Sequence, residues 1–443
     1  MKPVIAAALA DIHGLILFCR DKPVITAFAS LLERFMEEPA PHERDIVAAW
    51  ASFLRTLART GERSLYHAVA AAARVDDNLF TRALESSGKT DLSNASADSP
   101  EKDPDIPPLL LAFGKADLSR LGRIAGFDLG SLGAFLAKRL ERAGFADLAR
   151  NTASESRALS GSAGPFPDIF PAGSDWARSL PRFAAVIHAQ GAGELGICHV
   201  FRWDRGESTL KPVRNADTVR LADLAGYGEQ RRTVVENTLR FLAGYRANNL
   251  LLYGDRGTGK SATVKAVCGE YADRGLRLIE AAKQDLSCLP AILEALSSRA
   301  LRFILFIDDL SFESADKSFT ALKMVLEGGV GAKPPNVAVY ATSNRRHFVK
   351  ERLSDRPTAS LAASGDMRAF DSMQEQFSLA DRFGVTVVFT APAQEEFLRI
   401  AEYIAERRGL LSASADEDSR RRFRADALRW ERWFNGCSPR TAA

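Results

Sequence analysis

Residues 250–261 read LLLYGDRGTGKS: an apolar run, a glycine-rich loop, then a lysine and a serine. Gly254, Gly259, Lys260 and Ser261 stand at the spacing of a loop that cradles phosphates. Gly254, Gly257 and Gly259 let the backbone curl so that its N–H groups point inward at an anion. Asp255, Arg256 and Thr258 complete the loop. Ala262 opens a helical stretch, Ala262–Tyr271, whose N-terminus favours the same negative charge. Lys260 offers a point charge to the β- and γ-phosphates, and the Ser261 hydroxyl can ligate Mg²⁺. The chemistry read here is binding of ATP with Mg²⁺. The apolar strand before the loop and the helix after it argue against a chance spacing of glycines.

Residues 303–309 read FILFIDD, a buried strand whose end carries Asp308 and Asp309. After a phosphate loop, the first acid of such a pair holds the Mg²⁺ shell and the second can polarise an attacking water. Asp308 takes the first role and Asp309 the second, with Glu313 as a substitute for Asp309. Standing alone, an acidic pair after a strand is a solvated strand end; its register after the loop gives it this reading.

These residues need a scaffold, and the chain supplies an alternating one. Leu250–Tyr253, Arg277–Ala281, Phe303–Ile307, Val337–Thr342 and Val385–Thr390 read as strands with helical segments between them. That alternation predicts a parallel α/β sheet with helices on both faces. After Pro392 only helices follow, Ala393–Arg408 and about Ser419–Phe434, which read as a small helical lid. Upstream, Val24–Met36, Asp45–Leu57, Ser64–Leu84 and Leu129–Arg142 carry apolar residues at helical spacing. Polar stretches at 86–107 and 151–175 read as exposed linkers. Phe183–Gln190 and Glu194–Trp203 flank Gly191-Ala192-Gly193 and read as a β-hairpin. The expected organisation is a mostly helical N-terminal region at 1–175, a hairpin connector at 176–212, a nucleotide-binding core at 213–391 and a lid at 392–443.

Composition narrows the class. The chain has 443 residues, 46 % of them hydrophobic, enough for more than one buried core. A net charge of +3 makes no electrostatic case for a dedicated nucleic-acid binder. The cysteines Cys19, Cys198, Cys268, Cys288 and Cys437 form no CxxC pair, which fits reduced thiols. Lys2 and the apolar run Val4–Ala10 resemble a signal-peptide start, but Asp11, His13 and Arg20 interrupt it. No uninterrupted apolar stretch reaches about 18 residues, so no membrane span is expected and a cytoplasmic location is.

With both motifs in place, residues 213–443 resemble the AAA+ P-loop ATPase superfamily. Val219–Gln230 (VRLADLAGYGEQ) looks like the segment that lines an adenine pocket, which would bring Leu224, Gly226 and Tyr227 near the base. Val337–Asn344 (VAVYATSN) looks like the strand ending in a polar sensor, here Asn344, that orients water against the γ-phosphate. Ser378–Gly384 (SLADRFG) looks like the motif carrying an arginine finger, here Arg382. Gly436–Thr441 (GCSPRT) looks like a second sensor in the lid, with Arg440 facing the nucleotide, although the last lid helix would be very short. Many members carry Glu where Asp309 stands, and Asp has a shorter reach. The phrases DDLSFE, LEGG, YATSNRRH and LADRFG are similar to one family of uncharacterised bacterial ATPases with an N-terminal extension. The paired acids and the RFG phrase are also similar to replication initiators.

The resemblance implies ATP hydrolysis in a homo-oligomer, with Arg382 acting on a neighbouring subunit and turnover remodelling an unknown protein target. A slow nucleotide switch or scaffold is the alternative, as is a nucleic-acid-associated ATPase. Arg420, Arg421, Arg422 and Arg424 could touch nucleic-acid phosphates, or form a solvated helix face balanced by Asp416, Glu417 and Asp418. Arg345 and Arg346 follow the sensor, and residues 349–376 could form a substrate-facing loop. Cys198 and His199 are adjacent, point to opposite faces of a strand, and do not form a metal site by spacing.

Overall fold

The helical spacing of the first residues folds as helices in the computed structural model. It describes residues 1–37, 42–62, 64–87, 104–139, 169–217, 219–310, 322–326, 333–344, 382–412, 416–434 and 438–442. Two units form, Met1–Ile197 and Cys198–Ala443. The first contains α1 (Lys2–His13), α2 (Pro23–Met36), α3 (Glu43–Arg59), α4 (Leu65–Arg74), α5 (Leu79–Ser86), α6 (Pro108–Ala125), α7 (Leu129–Arg139) and α8 (Leu180–Gln190). The stretch read as one helix over Ser64–Leu84 divides after Arg74, because Asn78 caps a new start. Its side chain accepts from the N–H groups of Phe80 and Thr81, and the Thr81 hydroxyl accepts from Asn78 N–H.

The core of this unit is aromatic, with Phe18, Phe28, Phe53, Phe80, Trp176 and Phe183 fully enclosed. A buried carboxylate holds the loop after α1. Asp117 accepts from the N–H groups of Ile16 (2.9 Å), Leu17 (2.6 Å) and Phe18 (3.2 Å), and pairs with Arg120 at 3.0 Å. The loop thus buries Phe18 without orphaning its own donors. Of the stretches read as linkers, residues 88–103 and 151–168 lie outside the described residues, as do residues 140–150.

The expected hairpin over Phe183–Trp203 is overturned. Leu180–Gln190 is α8, and only the end of the second arm becomes a strand. Leu180, Phe183, Ala184 and Ile187 fall at three- and four-residue spacing and are buried together, with Pro181 in the first turn. Over so short an apolar run, both periodicities fit, and packing in the helical core decided between them. The hairpin that does form joins β1 (Val200–Asp204) to β2 (Thr209–Pro212), with Phe201 opposite Pro212 and Asp204 opposite Thr209. Asp204 makes the turn by accepting from the N–H groups of Gly206 and Glu207.

The second unit is an α/β sheet in the order β2-β1-β4-β5-β6-β3-β7. Its remaining strands are β3 (Leu250–Gly254), β4 (Leu276–Ala281), β5 (Arg302–Ile307), β6 (Val337–Asn344) and β7 (Val385–Phe389), all read from the sequence. Every described pairing is parallel except that of β1 with β2. The helices are α9 (Gly228–Leu242), α10 (Lys260–Glu270), α11 (Leu289–Ser297), α12 (Gln394–Arg407), α13 (Glu417–Phe434) and α14 (Pro439–Ala442). One face of the sheet, with Leu250, Leu252, Ile304, Phe306 and Tyr340, packs with residues of α9, α10 and α12. The alternate residues Phe303, Leu305 and Ile307 are equally buried on the other face, and α11 lies against β6. Burial on both faces is why these strands are apolar throughout.

Strand β3 lies between β6 and β7, yet the chain leaves it for β4 on the far side of β6 and β5. Connections therefore diverge at the carboxyl end of β3, the place in a parallel sheet where a crevice opens. Among the described residues no helix is long and apolar enough to cross a membrane.

Candidate functional site

A cleft of about 570 Å³ opens at the carboxyl ends of β3, β5 and β6, lined among others by Tyr227, Lys260, Ser261, Asp308, Asn344 and Arg440. The loop Gly254–Ser261 forms its floor. Gly254 sits at φ 143°, and a Cβ there would stand 1.9 Å from the carbonyl oxygen of Phe389 in β7. Only glycine permits β3 and β7 to run this close into the loop. Helix α10 begins at Lys260 with Gly259 as its N-cap and no capping side chain. An uncapped helix start inside a cleft is suited to an anion.

Lys260 is 6 % exposed. Its ammonium donates to the carbonyls of Gly254 (3.0 Å) and Asp255 (2.7 Å) and to Asn344 Oδ1 (3.3 Å). Burial lowers its pKa, opposed by the carboxylates of Asp255, Asp309 and Asp308. Asp255 also braces the exit of β7. Its carboxylate accepts from Ala391 N–H at 2.7 Å, while its own N–H donates to Phe389 O at 2.9 Å. Thr258 Oγ1 donates to Asp255 O at 2.8 Å and closes the turn. Arg256 stands exposed at the rim.

Strand register brings the acids to the loop. Ile307 of β5 is level with Ala341 of β6, and Asn344 of β6 is level with Gly254 of β3. Asp308 therefore emerges beside Thr342, and Asn344 between the acids and the phosphate loop. Ser261 Oγ donates to Asp308 Oδ1 at 2.6 Å. The Asn344 amide donates to Asp309 Oδ1. Asp309 adopts a positive φ of 51°, a region that Asp tolerates better than most side chains. Among the described residues no cluster of three or more His, Cys, Asp or Glu could hold a metal ion. A hydroxyl and a single carboxylate are instead the sparse oxygen set that suits Mg²⁺ sharing its shell with water and substrate phosphates.

The segment before α9 closes another side. Gly226 at φ 68° lies under α12, where a Cβ would come within 2.7 Å of Ile400 Cδ1. The Tyr227 ring lies 5.2 Å from that of Phe389, and its hydroxyl donates to Thr390 O at 2.7 Å. Burial, with Glu396 and Asp255 nearby, pushes the phenol pKa up. Leu224 lines the cleft, and its carbonyl accepts from Arg231. Helix α12 grips this segment through Arg407, which donates to Ala222 O at 2.7 Å and pairs with Asp223 at 2.5 Å. Helix α14 is four residues long, and Arg440 N–H donates to Gly257 O at 3.3 Å, so this last turn sits on the loop Gly254–Ser261.

Arg382 is not brought to this cleft. It precedes β7, and β7 runs parallel to β3. Its place is at the amino end of the sheet, a strand length of about 17 Å from the phosphate loop. Ser378–Asp381, Glu313, Arg345, Arg346, residues 349–376, Gly436 and Cys437 lie outside the described residues. Three of the four clustered arginines of α13 face protein carboxylates: Arg424 pairs with Glu402 at 2.6 Å, Arg420 with Glu406 at 2.7 Å, and Arg421 with Asp418 at 4.0 Å, while Arg422 stands exposed. Burial lowers the pKa of His199, and no metal-binding group includes it or Cys198 among the described residues.

Sequence reasoning did not single out Thr342, the Asp223–Arg407 pair or the bracing of β7 by Asp255. For Thr342 a signal existed, since it shares a strand face with Asn344 two residues on. The other two depend on long-range contacts. Residues 197–443 match the profile of a family described as Protein of unknown function (DUF815). No curated protein matches the chain.

Proposed function

The chain belongs to the family described as Protein of unknown function (DUF815), and from its site we propose that it binds ATP with Mg²⁺ and hydrolyses it as an AAA+ type ATPase. The observation that carries this reading is the convergence of Lys260, Ser261, Asp308 and Asn344 in one cleft at the switch point of the sheet. Lys260 exchanges its carbonyl partners for the β- and γ-phosphates. Ser261 and Asp308 hold Mg²⁺, which neutralises phosphate charge. Asp309 and Asn344, already joined by a hydrogen bond, position the attacking water. Arg440 reads the γ-phosphate from the lid. Leu224, Gly226 and Tyr227 flank the adenine.

Arg382 stands at the wrong end of the sheet for its own cleft. In this reading it completes the cleft of a neighbouring copy, which requires a head-to-tail homo-oligomer. There it stabilises charge on the transferring phosphoryl group. Turnover then moves the lid and the segment it grips, and the work falls on a macromolecular target, most simply a protein. The ion pairs of Arg420 and Arg424 commit two of the cluster's four arginines to protein carboxylates, which counts against a nucleic-acid face there.

The test is steady-state ATP hydrolysis against protein concentration, for wild type and Arg382→Ala. The expected result is specific activity that rises with concentration and is lost in the variant while ATP binding survives. A second reading, a slow switch or scaffold, is favoured by the shorter reach of Asp309 and the four-residue α14. Tight ATP binding with negligible turnover at every concentration would select it.

A further inference from the structure

We propose that Thr342 is a positioning residue that fixes both site acids at once, Asp308 by its carboxylate and Asp309 by its backbone, an inference that rests on the ATPase reading above. Its side chain is buried at the end of β6. Its hydroxyl donates to Asp308 Oδ1 at 2.6 Å and accepts from Asp309 N–H at 2.9 Å. The two bonds determine each other. A hydroxyl has one hydrogen, and an ionised carboxylate only accepts, so the hydrogen goes to Asp308 and a lone pair is left for Asp309. One O–H thus holds Asp308 by its carboxylate and Asp309 by its backbone.

The other partners of Asp308 explain why this matters. Oδ1 collects three donors: Ser261 Oγ, Thr342 Oγ1 and, at 3.1 Å, Asp309 N–H. Oδ2 takes no hydrogen bond from any described residue. A Ser261 hydroxyl that ligates the metal does so through an oxygen lone pair, and its single hydrogen still serves Asp308. Among the described residues Thr342 is the side-chain donor to Asp308 that is not itself assigned to the metal, so it keeps the carboxylate in register from the strand side. The same hydroxyl anchors the amide of Asp309, whose positive φ of 51° is a conformation an L-residue leaves readily unless held. Asn344 holds the far end of Asp309 through its carboxylate. Thr342 and Asn344 therefore clamp Asp309 from backbone and side chain. The strand itself does not demand threonine. Its neighbours Ala338, Val339 and Ala341 are buried and apolar, and valine would serve β6 as well.

The experiment compares wild type, Thr342→Val and Thr342→Ser in the full chain. Binding of a fluorescent ATP analogue is followed while Mg²⁺ is titrated, and steady-state hydrolysis is measured beside it. Thr342→Val is expected to bind the analogue like wild type without Mg²⁺. Its Mg²⁺ requirement should rise, and its kcat fall, by about 10–100-fold, with KM little changed, the size of effect seen when partners of metal ligands are removed. Thr342→Ser should restore most of both. A valine variant with the wild-type Mg²⁺ requirement overturns the inference. So does a loss of binding that is equal with and without Mg²⁺ and is not recovered by serine, since that is a folding defect. If wild type binds but does not turn over, the Mg²⁺ requirement alone decides. Wild type that binds no nucleotide sinks the ATPase reading itself, and this inference with it.

Discussion

Lys260 shows how a single residue would tie the fold to the proposed ligand chemistry. A buried ammonium is costly, and here its three N–H donors meet two carbonyls and one amide oxygen, all neutral acceptors. Charged phosphate oxygens would compensate the ammonium further than these neutral acceptors do. Burial lowers the pKa, so the charge is secure at low pH and is lost as pH rises through the lowered value. ATP affinity is accordingly expected to fall at alkaline pH earlier than for an exposed lysine, a loss absent from Lys260→Ala. Removing this charge-assisted contact should itself weaken ATP binding by roughly 10–100-fold at neutral pH. Isothermal titration of both proteins across pH checks both statements. Lys260 and Ser261 were legible because their spacing is covalent and local. Thr342 was not singled out, because its importance comes from Asp308, on a different strand.

Elements carry the next set of constraints. Gly254 joins β3 to β7 at the point where the phosphate loop begins, and Asp255 hydrogen-bonds the exit of β7 from the other side. Gly254→Ala must push Phe389 aside, in a backbone conformation that alanine resists. Overpacking and strain together are expected to cost about 3 kcal/mol. Urea unfolding should show that loss, and ATP binding should weaken with it. In the first unit, the loop after α1 depends on Asp117. Asp117→Leu leaves three N–H groups without their acceptor and Arg120 without its partner. A loss of about 3 kcal/mol is expected, read as a lower urea midpoint for the transition of that unit. Asp117→Asn keeps an acceptor and should lose less.

At the scale of the whole molecule the decisive residue is Arg382, which the strand direction places away from its own cleft. If copies share their sites head to tail, two inactive variants should rescue one another. Lys260→Ala supplies a finger without a working cleft, and Arg382→Ala supplies the reverse. Mixed in equal amounts, they should recover about one quarter of wild-type hydrolysis, since half the clefts are intact and half the fingers follow them. Activity no higher than that of the separate variants would mean that Arg382 does not act between copies. The lid belongs to this scale too, because Arg407 and Ile400 bind it to the segment before α9. A lid that moves must take Gly226 and Tyr227 with it.

The sequence alone determined the glycine loop Gly254–Ser261 between strand and helix, the acidic strand end, the five strands β3–β7 and the helices that cover them. Each is written in spacing that a chain keeps whatever its surroundings: period 3.6 on one face, unbroken apolar runs in doubly covered strands, glycines where φ turns positive. Only the tertiary structure decided the rest. The apolar run at Phe183–Gln190 suited strand or helix, and a helical core took it as α8. Val200–Asp204 became a sheet strand because β4 offered it a parallel edge. Strand order set Asn344 between the loop and the acids, and strand direction sent Arg382 to the opposite end. Hydrogen bonds across strands turned Thr342 from a β-former into the partner of the Asp308 carboxylate and the Asp309 amide. Partners distant in sequence leave no local period to read, and register fixes them only when the sheet is assembled.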